Sequence, residues 1–594
     1  MKKIVNVIIV FLFLTGCGKI VAPEIVRQAD RVNKFWVSDR ENSEILAIDG
    51  ETGNILRRQS FPSPVNDLRL DSHGRLWAVC DGVNGLLLEL NPANLNILSK
   101  TPLGHTPSAI AYNEKTGTLW ITQRFNNELL EVDPVSKEIV SRISVGREPV
   151  DIVSVRGGNY MLVVNNLPAM PSIDEHIAAR IDVVDAINKN VVKEILLING
   201  STDVRAITVC PDGRYAYVTH ILARFQLPTN MVDRGWMNTN AMSIINLETL
   251  SLETAVLLDT PQRGAANPSA IEVSPDGNYI VIALTGTHEL CVINRQALHD
   301  RLAAAKRGER VVPSLENWDN IPNDAGFLHG IRDFIPVGGR GTRGFAFAQN
   351  GSIIASNYFS GSLSKIDIQG NTAKTFTIGT PLTSTLRGLG EMHFHDATLC
   401  FQKWQSCASC HPNNARMDGL NWDLLNDGAG NAKNTKSLLF AHETPPSMVT
   451  GIRPNAETAV RAGFRFIHFA YLPDEVAQAV DVYLRSLRPV PSPYLVDGEL
   501  SAAARRGKII FNQSCYSCHS GVHHTNMNQY YVDWYTGRVK IPLDVPTLRE
   551  VWRTAPYLYD GRAFTIREML DMRGFDSQFT SAELDDLAEF VLSL

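Results

Sequence analysis

One turn pattern recurs along the first two thirds of the chain and limits its fold more than any other feature. The segment Pro211–Val218 reads PDGRYAYV, Pro275–Ile282 reads PDGNYIVI, and weaker copies start at Asp71 and Asn113. Asp-Gly supplies the positive-φ residue that a tight hairpin needs, and an apolar strand follows it. A unit of four short strands recurring at roughly 40 residues predicts a β-propeller of about seven blades. The repeats place it over residues 30–382.

The repeat is irregular at its start and in two loops. The first unit opens on Phe35–Val37, which reads as the second strand of a blade, so we expect a strand borrowed from residues 382–389 to close the ring. Insertions at 165–179 and 221–240 separate the second and third strands of adjacent blades and should share one face. Their apolar content predicts a contact with the C-terminal part of the chain or with another molecule.

The C-terminal third contains two copies of the pattern C-x-x-C-H. Each copy has two thiols and an adjoining imidazole, which are Cys407, Cys410 and His411 in the first and Cys515, Cys518 and His519 in the second. This pattern attaches c-type haem: the thiols bind the haem covalently and the histidine ligates the iron. A structural zinc site would need four ligands per site, and a thiol redox pair would need a thioredoxin-like context. The motifs therefore predict two covalent haems.

The N-terminus predicts export from the cytoplasm. Two lysines precede a short apolar run, Ile4–Leu14, which is too short to span a bilayer, and Leu14–Cys17 resembles a bacterial lipobox. Residues 1–17 then form a signal peptide and Cys17 becomes lipidated; the alternative is an ordinary secretory signal with a chance cysteine. We expect a periplasm-facing lipoprotein of the bacterial cell envelope, anchored to the membrane only by lipid. The residue after Cys17 is not Asp, which favours the outer membrane.

Composition narrows the remaining classes of function. A chain of 594 residues should form more than one domain, and its net charge of −6 argues against nucleic acid as a partner. Four cysteines remain after the haem and lipid positions, and we interpret them as small buried residues, although a disulfide is permitted in this compartment. They are Cys80, Cys210, Cys291 and Cys400.

Two resemblances follow from these motifs. The Pro-Asp-Gly repeats resemble the YVTN class of propeller repeats, with Val218-Thr219-His220 where that class tends to have Val-Thr-Asn. Around the haem motifs, four stretches look like the bacterial di-haem cytochrome c peroxidase and MauG superfamily: Gly390–Leu399, Asn434–Leu439, Val545–Val551 and Ala555–Arg562. The resemblance implies a mainly α-helical di-haem domain over 385–594, with the first haem in 385–495 and the second in 496–594.

The superfamily resemblance also implies roles for single residues. His411 and His519 become the proximal ligands. The second haem becomes an electron relay whose far ligand is Met572, with Met569, a tyrosine, or mere helix packing as alternatives. The first haem becomes the reactive one, with Glu457 as the acid–base residue and His442 or His468 as distal or switchable ligand. Carbonyl groups near Asn434 and Pro546 become candidates for an interdomain calcium site.

The function that this implies is reduction of hydrogen peroxide with electrons from a small cytochrome or cupredoxin. The propeller would dock this donor or a protein substrate. One alternative is a MauG-like oxidation of a protein or small substrate. Another is an electron-transfer protein without catalysis, and a third makes the propeller a ligand-binding domain with the haems as sensor.

Overall fold

A computed structural model describes residues 18–28, 33–227, 237–423, 432–531 and 542–594. Within it, seven four-stranded antiparallel sheets follow one another along the chain, which confirms the seven-bladed β-propeller. The Pro-Asp-Gly turns have the predicted conformation, since Gly213 and Gly277 have φ of 67° and 75°. Residues 1–17, including the lipidation candidate Cys17, lie outside the described residues, and no helix of the described part is long and apolar enough to cross a membrane.

Each blade comprises four strands that are consecutive in sequence. A short strand, β1 (Ile20–Val21), precedes the ring. Blades one to four contain β2 (Pro23–Gln28), β3 (Lys34–Asp39), β4 (Glu44–Asp49), β5 (Ile55–Ser60); β6 (Val65–Leu70), β7 (Leu76–Cys80), β8 (Gly85–Leu90), β9 (Ile97–Gly104); β10 (Pro107–Asn113), β11 (Thr118–Gln123), β12 (Glu128–Val132), β13 (Ile139–Ser144); β14 (Pro149–Val155), β15 (Tyr160–Asn165), β16 (Arg180–Asp185) and β17 (Asn190–Leu196).

The last three blades follow the same plan. They contain β18 (Ser201–Val209), β19 (Tyr215–Ala223), β20 (Asn238–Asn246), β21 (Ser251–Leu257); β22 (Pro268–Val273), β23 (Tyr279–Leu284), β24 (Glu289–Asn294), β25 (Arg332–Pro336); β26 (Phe345–Phe347), β27 (Ile353–Asn357), β28 (Ser362–Asp367) and β29 (Thr372–Thr377). Apolar residues fill the space between blades, and Trp36, Trp77 and Trp120 are among the largest fully buried side chains. Truncating one such residue to alanine costs about 3–5 kcal/mol.

The ring closes differently from the prediction. The first blade has its own innermost strand, β2, which pairs with β3, and it begins before residue 30. Residues 382–389 form a 3₁₀ turn and the start of a helix, so the prediction of a borrowed strand was wrong. The sequence did not indicate β2 because its residues, Pro-Glu-Ile-Val-Arg-Gln, do not alternate strictly between polar and apolar; Arg27 of this strand binds Asp67 of the next blade. The two ends of the propeller are joined by a short parallel pairing, in which Ile20 is opposite Thr380.

The four remaining cysteines are buried and unpaired in the described part of the chain. The two apolar insertions lie between the second and third strands of the fourth and fifth blades, as predicted. They contact the C-terminal part of the chain: Ser172 N–H donates to the carbonyl of Gly561 at 2.8 Å, and Ile177 and Met237 pack in one cluster with Trp404. The insertion of the sixth blade contains α1 (Arg295–Lys306) and a 3₁₀ turn, Trp318–Asn323.

Helices and short hairpins make up the described part of the C-terminal third. Its elements are α2 (Leu386–His395), α3 (Cys407–Cys410), α4 (Pro412–Ala415), β31 (Asn421–Trp422), β32 (Lys433–Asn434), α5 (Ala456–Phe466), α6 (Asp474–Ser486), α7 (Ala502–Ser514), β33 (Gln529–Tyr531), β34 (Pro542–Asp544), α8 (Ile566–Met572) and α9 (Ser581–Leu592), while β30 (Thr380–Pro381) precedes them. Short 3₁₀ turns link several of them, at Leu382–Ser384, Ala397–Leu399, Phe401–Lys403, Val551–Arg553 and Phe575–Ser577, and a further turn, Tyr358–Ser360, lies between β27 and β28 of the last blade. Haem binding by this region stays a prediction.

The C-terminal third contains the same structure twice. After each C-x-x-C-H motif come a two-stranded hairpin, a cis-proline, an isolated bridge and a capped helix, in this order. The cis bonds precede Pro446 and Pro556. The bridges join Ser447 to Arg453 and Tyr557 to Ala563, and the helices that follow are capped by Asn455 and Thr565. The two motifs therefore occupy equivalent places in two copies of one structural unit.

Candidate haem sites

The first motif forms a short helical turn. Cys407 and Cys410 are the ends of α3, so one turn brings both thiols to neighbouring positions. Ser406 caps this turn, and its backbone N–H donates to the side chain of Ser409 at 3.1 Å. His411 follows directly. The residues that the haem hypothesis requires are thus next to one another in a fixed turn.

Backbone carbonyls orient the His411 ring by hydrogen bonding. Its Nδ1 lies 3.1 Å from the carbonyl oxygen of Arg416. Because a carbonyl only accepts, Nδ1 carries the proton and Nε2 keeps a free lone pair. Burial lowers the pKa of His411, although nearby carbonyls oppose this effect. The ring is therefore neutral at pH 7, which is the form that ligates iron.

The second motif repeats this arrangement. Cys515 follows the end of α7, and Nδ1 of His519 donates to the carbonyl oxygen of His524 at 3.0 Å. Burial lowers the pKa of His519 as well. In both motifs the carbonyl belongs to the fifth residue after the histidine, which leaves Nε2 as ligand. The donor set of each motif fits a covalently attached c-type haem with a proximal histidine.

A cavity of about 260 Å³ lies against the first motif. Cys407, Cys410 and His411 line it, and most of the rest of its wall is apolar. Burial raises the pKa of the Cys407 thiol to about 12, so both thiols of the motif are protonated at neutral pH. Helix α5 and the Lys433–Leu439 segment form other parts of the wall. An apolar cleft with two thiols and an imidazole is suited to a macrocycle with an iron at its centre.

Of the three candidate residues of the first site, His468 alone is on the wall of this cavity. Its Nε2 lies 3.9 Å from the sulfur of Cys407, and its Nδ1 is buried without a hydrogen-bond partner. Burial lowers the pKa of His468 to about 4, so this ring is neutral. A neutral, incompletely bonded histidine beside the cavity can ligate a metal or accept a proton.

The structure does not bring Glu457 and His442 to the described wall of the cavity. Glu457 pairs with Arg485 on an exposed side of α5, and its pKa is lowered. His442 is buried, and its Nε2 lies 2.9 Å from Asp481, which also binds Arg461. Arg461 connects the two candidates, because it donates to the backbone carbonyl of Glu457 and to the carboxylate of Asp481. A direct role of either in the cavity stays a prediction, and this geometry does not favour it.

Two methionines of α8 compete for the role of far ligand at the second motif. Met572, the residue proposed from the sequence, ends the helix and is 48% exposed. Met569 is partly buried and packs in the same hydrophobic cluster as Cys515. The contacts therefore favour Met569 over Met572 as the thioether nearer the second motif.

The two calcium candidates have other neighbours in the structure. Asn434 donates through its side chain to the carbonyl of Pro556, and its backbone N–H donates to the carbonyl of Tyr559 at 2.9 Å. The carbonyl of Pro546 lies beside the ring of His519. Among the described residues, no group of three or more His, Cys, Asp or Glu side chains could hold a metal ion. The calcium site stays a prediction.

Residues of the propeller also contact the first motif. The sequence predicted a contact by the insertions but did not identify these individual residues. Met237 lines the cavity, and Asn238 and Asn267 bind residues of the motif turn. The only signal for Met237 and Asn238 was the apolar content of the insertion that ends at residue 240, and no signal pointed to Asn267. The first site is thus built from both parts of the chain, although their sequences are far apart.

Comparisons with known proteins point to one enzyme of Kuenenia stuttgartiensis, and no protein-family model matches the chain. Hydrazine synthase subunit gamma is 28% identical over 279 residues, which cover 36% of this chain and 79% of that subunit. Hydrazine synthase subunit beta is 26% identical over 204 residues, which cover 32% of this chain; the chain spans only half the length of that subunit.

A solved structure supports the fold. A chain of Kuenenia stuttgartiensis hydrazine synthase superposes with a TM-score of 0.51 at 17% identity, covering 60% of this chain and 96% of its own length. At this identity the superposition shows a shared fold and nothing more. The sequence similarity to two subunits of one enzyme supports a function as a redox enzyme, and reduction of peroxide is not indicated by it.

Proposed function

We propose that this chain is a di-haem c-type redox enzyme. Cys407 and Cys410 would attach one haem, and Cys515 and Cys518 the other. The observation that carries the proposal is the repeated hydrogen bond from the Nδ1 atoms of His411 and His519 to backbone carbonyls, at 3.1 and 3.0 Å. This bond is the outer-shell contact that orients a ligating histidine. When bound, the haems would supply two one-electron centres.

The two sites are suited to different tasks. The first has a cavity of about 260 Å³ with His468 in its wall, so a small molecule could enter beside the proximal histidine. The second has a thioether in its hydrophobic cluster, and a methionine ligand raises the potential of a haem. Tyr516 within the second motif is 52% exposed, which suits contact with a small redox protein. We assign catalysis to the first site and electron entry to the second.

The first reaction to test is reduction of hydrogen peroxide with electrons from a cytochrome or cupredoxin. Support comes from the resemblance of the segments around both motifs to di-haem peroxidases. His468 is a residue in the cavity wall that could accept and return a proton, because its ring is neutral and its Nδ1 is unpartnered.

A second candidate is chemistry on a small nitrogen compound of the hydrazine class. The similarity to two hydrazine synthase subunits favours it. The wall of the first cavity is mainly apolar, and the carboxylate expected to assist peroxide cleavage, Glu457, pairs with Arg485 instead. In either case an exported, lipid-anchored protein facing the periplasm would acquire its haems outside the cytoplasm.

Optical and low-temperature EPR spectra of the haem-loaded protein test these assignments. Spectra are recorded oxidised and half-reduced, alone, with hydrogen peroxide and with hydrazine. A high-spin signal that appears on half-reduction and reacts with peroxide supports the peroxidase; a signal that reacts only with hydrazine supports the second candidate. Two low-spin haems that react with neither would leave an electron-transfer protein. Absence of covalent haem would refute the proposal altogether.

A further inference from the structure

One buried amide of the propeller contacts the second cysteine of the first haem motif. Asn238, the first residue of β20, is wholly buried. Its Nδ2 lies 3.3 Å from the sulfur of Cys410 and donates to Oε1 of Gln405 at 3.0 Å. One amide nitrogen has two hydrogens, so both contacts can be made at once. An N–H from the propeller therefore points at the atom that would join the first haem to the protein.

Two further asparagines of the propeller hold the same turn. Asn267 accepts from the hydroxyl of Ser406 at 3.0 Å and donates to that of Ser409 at 3.2 Å. Its φ of 57° is in the left-handed region, which asparagine tolerates better than most residues. Asn240 donates to the carbonyl of Trp404 at 3.3 Å and is fixed by Asp259. Three asparagines of the propeller thus bind the motif turn or the residues just before it.

The second motif has different surroundings. The described contact to the sulfur of Cys518 comes from its own neighbour Ser517, at 3.9 Å. The cluster around Cys515 consists of residues of the C-terminal third. Among the described contacts, the two copies of the structural unit therefore differ at the second cysteine, where the first copy has an amide donor from the propeller. A difference of this kind can give two equivalent haems different properties.

We infer that Asn238 is a positioning residue that raises the reduction potential of the first haem relative to the second. The N–H bond places the positive end of its dipole at the sulfur on the edge of the macrocycle, and this favours the added electron in a buried site. The inference rests on the proposed attachment of haem at Cys407 and Cys410. It gives the propeller a part in the redox site itself, beyond docking a donor.

The variant Asn238→Leu tests this inference because it removes the donor and keeps a side chain of similar size. Asn113→Leu is the matched control. Asn113 is equally buried in the propeller, and its amide donates to the carbonyl of Gly158 at 2.9 Å and lies 3.4 Å from the sulfur of Met161. Both variants lose a buried amide beside a sulfur, but only one of these sulfurs belongs to a haem motif.

The measurement is a spectroelectrochemical titration of the haem-loaded full chain, with haem counted per polypeptide. The first haem is identified in Cys515→Ser/Cys518→Ser protein. In Asn238→Leu we expect two haems per polypeptide. The ratio of oxidised to reduced first haem should rise tenfold at a given potential, which lowers its reduction potential by about 59 mV for one electron. The potential of the second haem should not change. Asn113→Leu should change neither potential.

Unchanged potentials in Asn238→Leu with both haems attached would overturn the inference and leave the proposed function intact. Failure of the unsubstituted protein to bind haem would instead refute the proposed function. Asn238→Asp guards against misfolding, since it keeps the shape of the side chain and replaces the donor nitrogen with an oxygen. With both haems attached, it too should lower the potential of the first haem; an equal shift of both haems would indicate a general structural effect and overturn the inference.

Discussion

Arg416 and Glu550 form a buried ion pair that joins the two repeated units of the C-terminal third. Their side chains are 4% and 1% exposed, and Nε of Arg416 lies 2.5 Å from the carboxylate. Arg416 is also the residue whose carbonyl accepts the hydrogen bond of His411. The ion pair therefore links the support of the first proximal histidine to a segment of the second unit.

The substitution Glu550→Gln should destabilise the protein strongly. It leaves the Arg416 guanidinium buried without a counter-charge, and removing one partner of a buried pair costs about 3–5 kcal/mol. Asp585→Asn is the control, because its partner Arg567 and Asp585 itself are 30% and 66% exposed and such pairs contribute about 0–1 kcal/mol. Denaturant unfolding of the haem-loaded protein measures both. Equal effects of the two substitutions would contradict a structural role for the buried pair.

Serine substitutions should remove the haems one at a time. Cys407→Ser/Cys410→Ser protein should contain one haem, attached at the second motif, because a hydroxyl does not add to the haem vinyl group. Cys515→Ser/Cys518→Ser protein should retain only the other haem. Cys400→Ser is the control, since Cys400 is a buried free thiol outside the pattern. Intact mass and haem content per chain measure the outcome, and two haems in either double variant would contradict the assignment.

Substitutions of His468 and Glu457 should have different effects on turnover if His468 is the acid–base residue. A true proton-transfer residue contributes about 10²–10⁴-fold to the rate. We expect a loss of this size in His468→Ala, whose side chain lines the cavity, and a loss below about tenfold in Glu457→Gln, whose carboxylate pairs with Arg485. Steady-state turnover of the reactive substrate, with EPR of the first haem as a second readout, decides between them. The reverse order of losses would restore Glu457 as the acid–base residue.

The propeller was predictable because its signals are local. A turn such as Pro275-Asp-Gly and the apolar strand after it are adjacent in sequence, and their chemistry determines a hairpin without reference to the rest of the chain. β2 was missed because its exposed face carries residues such as Arg27, whose partner Asp67 lies in the next blade. The six residues of β2 do not alternate strictly between polar and apolar, so no period of two identifies them as a strand, although β2 pairs with the next strand in sequence, β3.

The haem motifs were predictable for the same reason, since their residues lie within five positions. The surroundings were not. Asn238 lies 172 positions before Cys410 in the sequence, and no local pattern marks an asparagine as a donor to a distant sulfur. Glu457 follows a turn at the expected distance along the sequence, but which side of a helix faces a site depends on what packs against the helix. Glu457 faces α6, where it pairs with Arg485.

Replacing the methionines of α8 should identify the far ligand of the second haem. Met569→Ala should abolish the charge-transfer absorption of a methionine-ligated ferric haem and lower the potential of that haem, because the loss of a thioether favours Fe(III). Met572→Ala should leave both unchanged, because Met572 is 48% exposed while Met569 packs in the cluster that contains Cys515. Unchanged spectra in both variants would assign the ligand to another residue, and the opposite result would restore Met572.

Acid should weaken the contact between the propeller and the C-terminal third, through Glu148. This propeller residue is buried between Arg124, at 2.7 Å, and Arg553 of the C-terminal third, at 3.4 Å. Burial by itself would raise the pKa of the Glu148 carboxyl, but Arg553, Arg124 and Arg147 outweigh it and hold the pKa at about 2. The carboxylate is therefore ionised in the folded protein well below the ordinary glutamate pKa of 4.5.

The sign of the pH dependence follows from this depressed pKa. Above about pH 4.5 the carboxylate is ionised in both states, and its contribution to stability is complete. As the pH falls toward 2, the unfolded chain takes up the proton first, so the contribution is progressively lost. We expect the free energy of unfolding of Glu148→Gln to be lower than that of the unsubstituted protein by about 3–5 kcal/mol at pH 7 and the difference to shrink between pH 4.5 and pH 3.

Glu309→Gln, at an exposed pair with Arg307, should show no such convergence. Denaturant unfolding at pH 7, 4.5 and 3 measures the three proteins, and a constant difference across this range would show that Glu148 acts through its shape and not its charge.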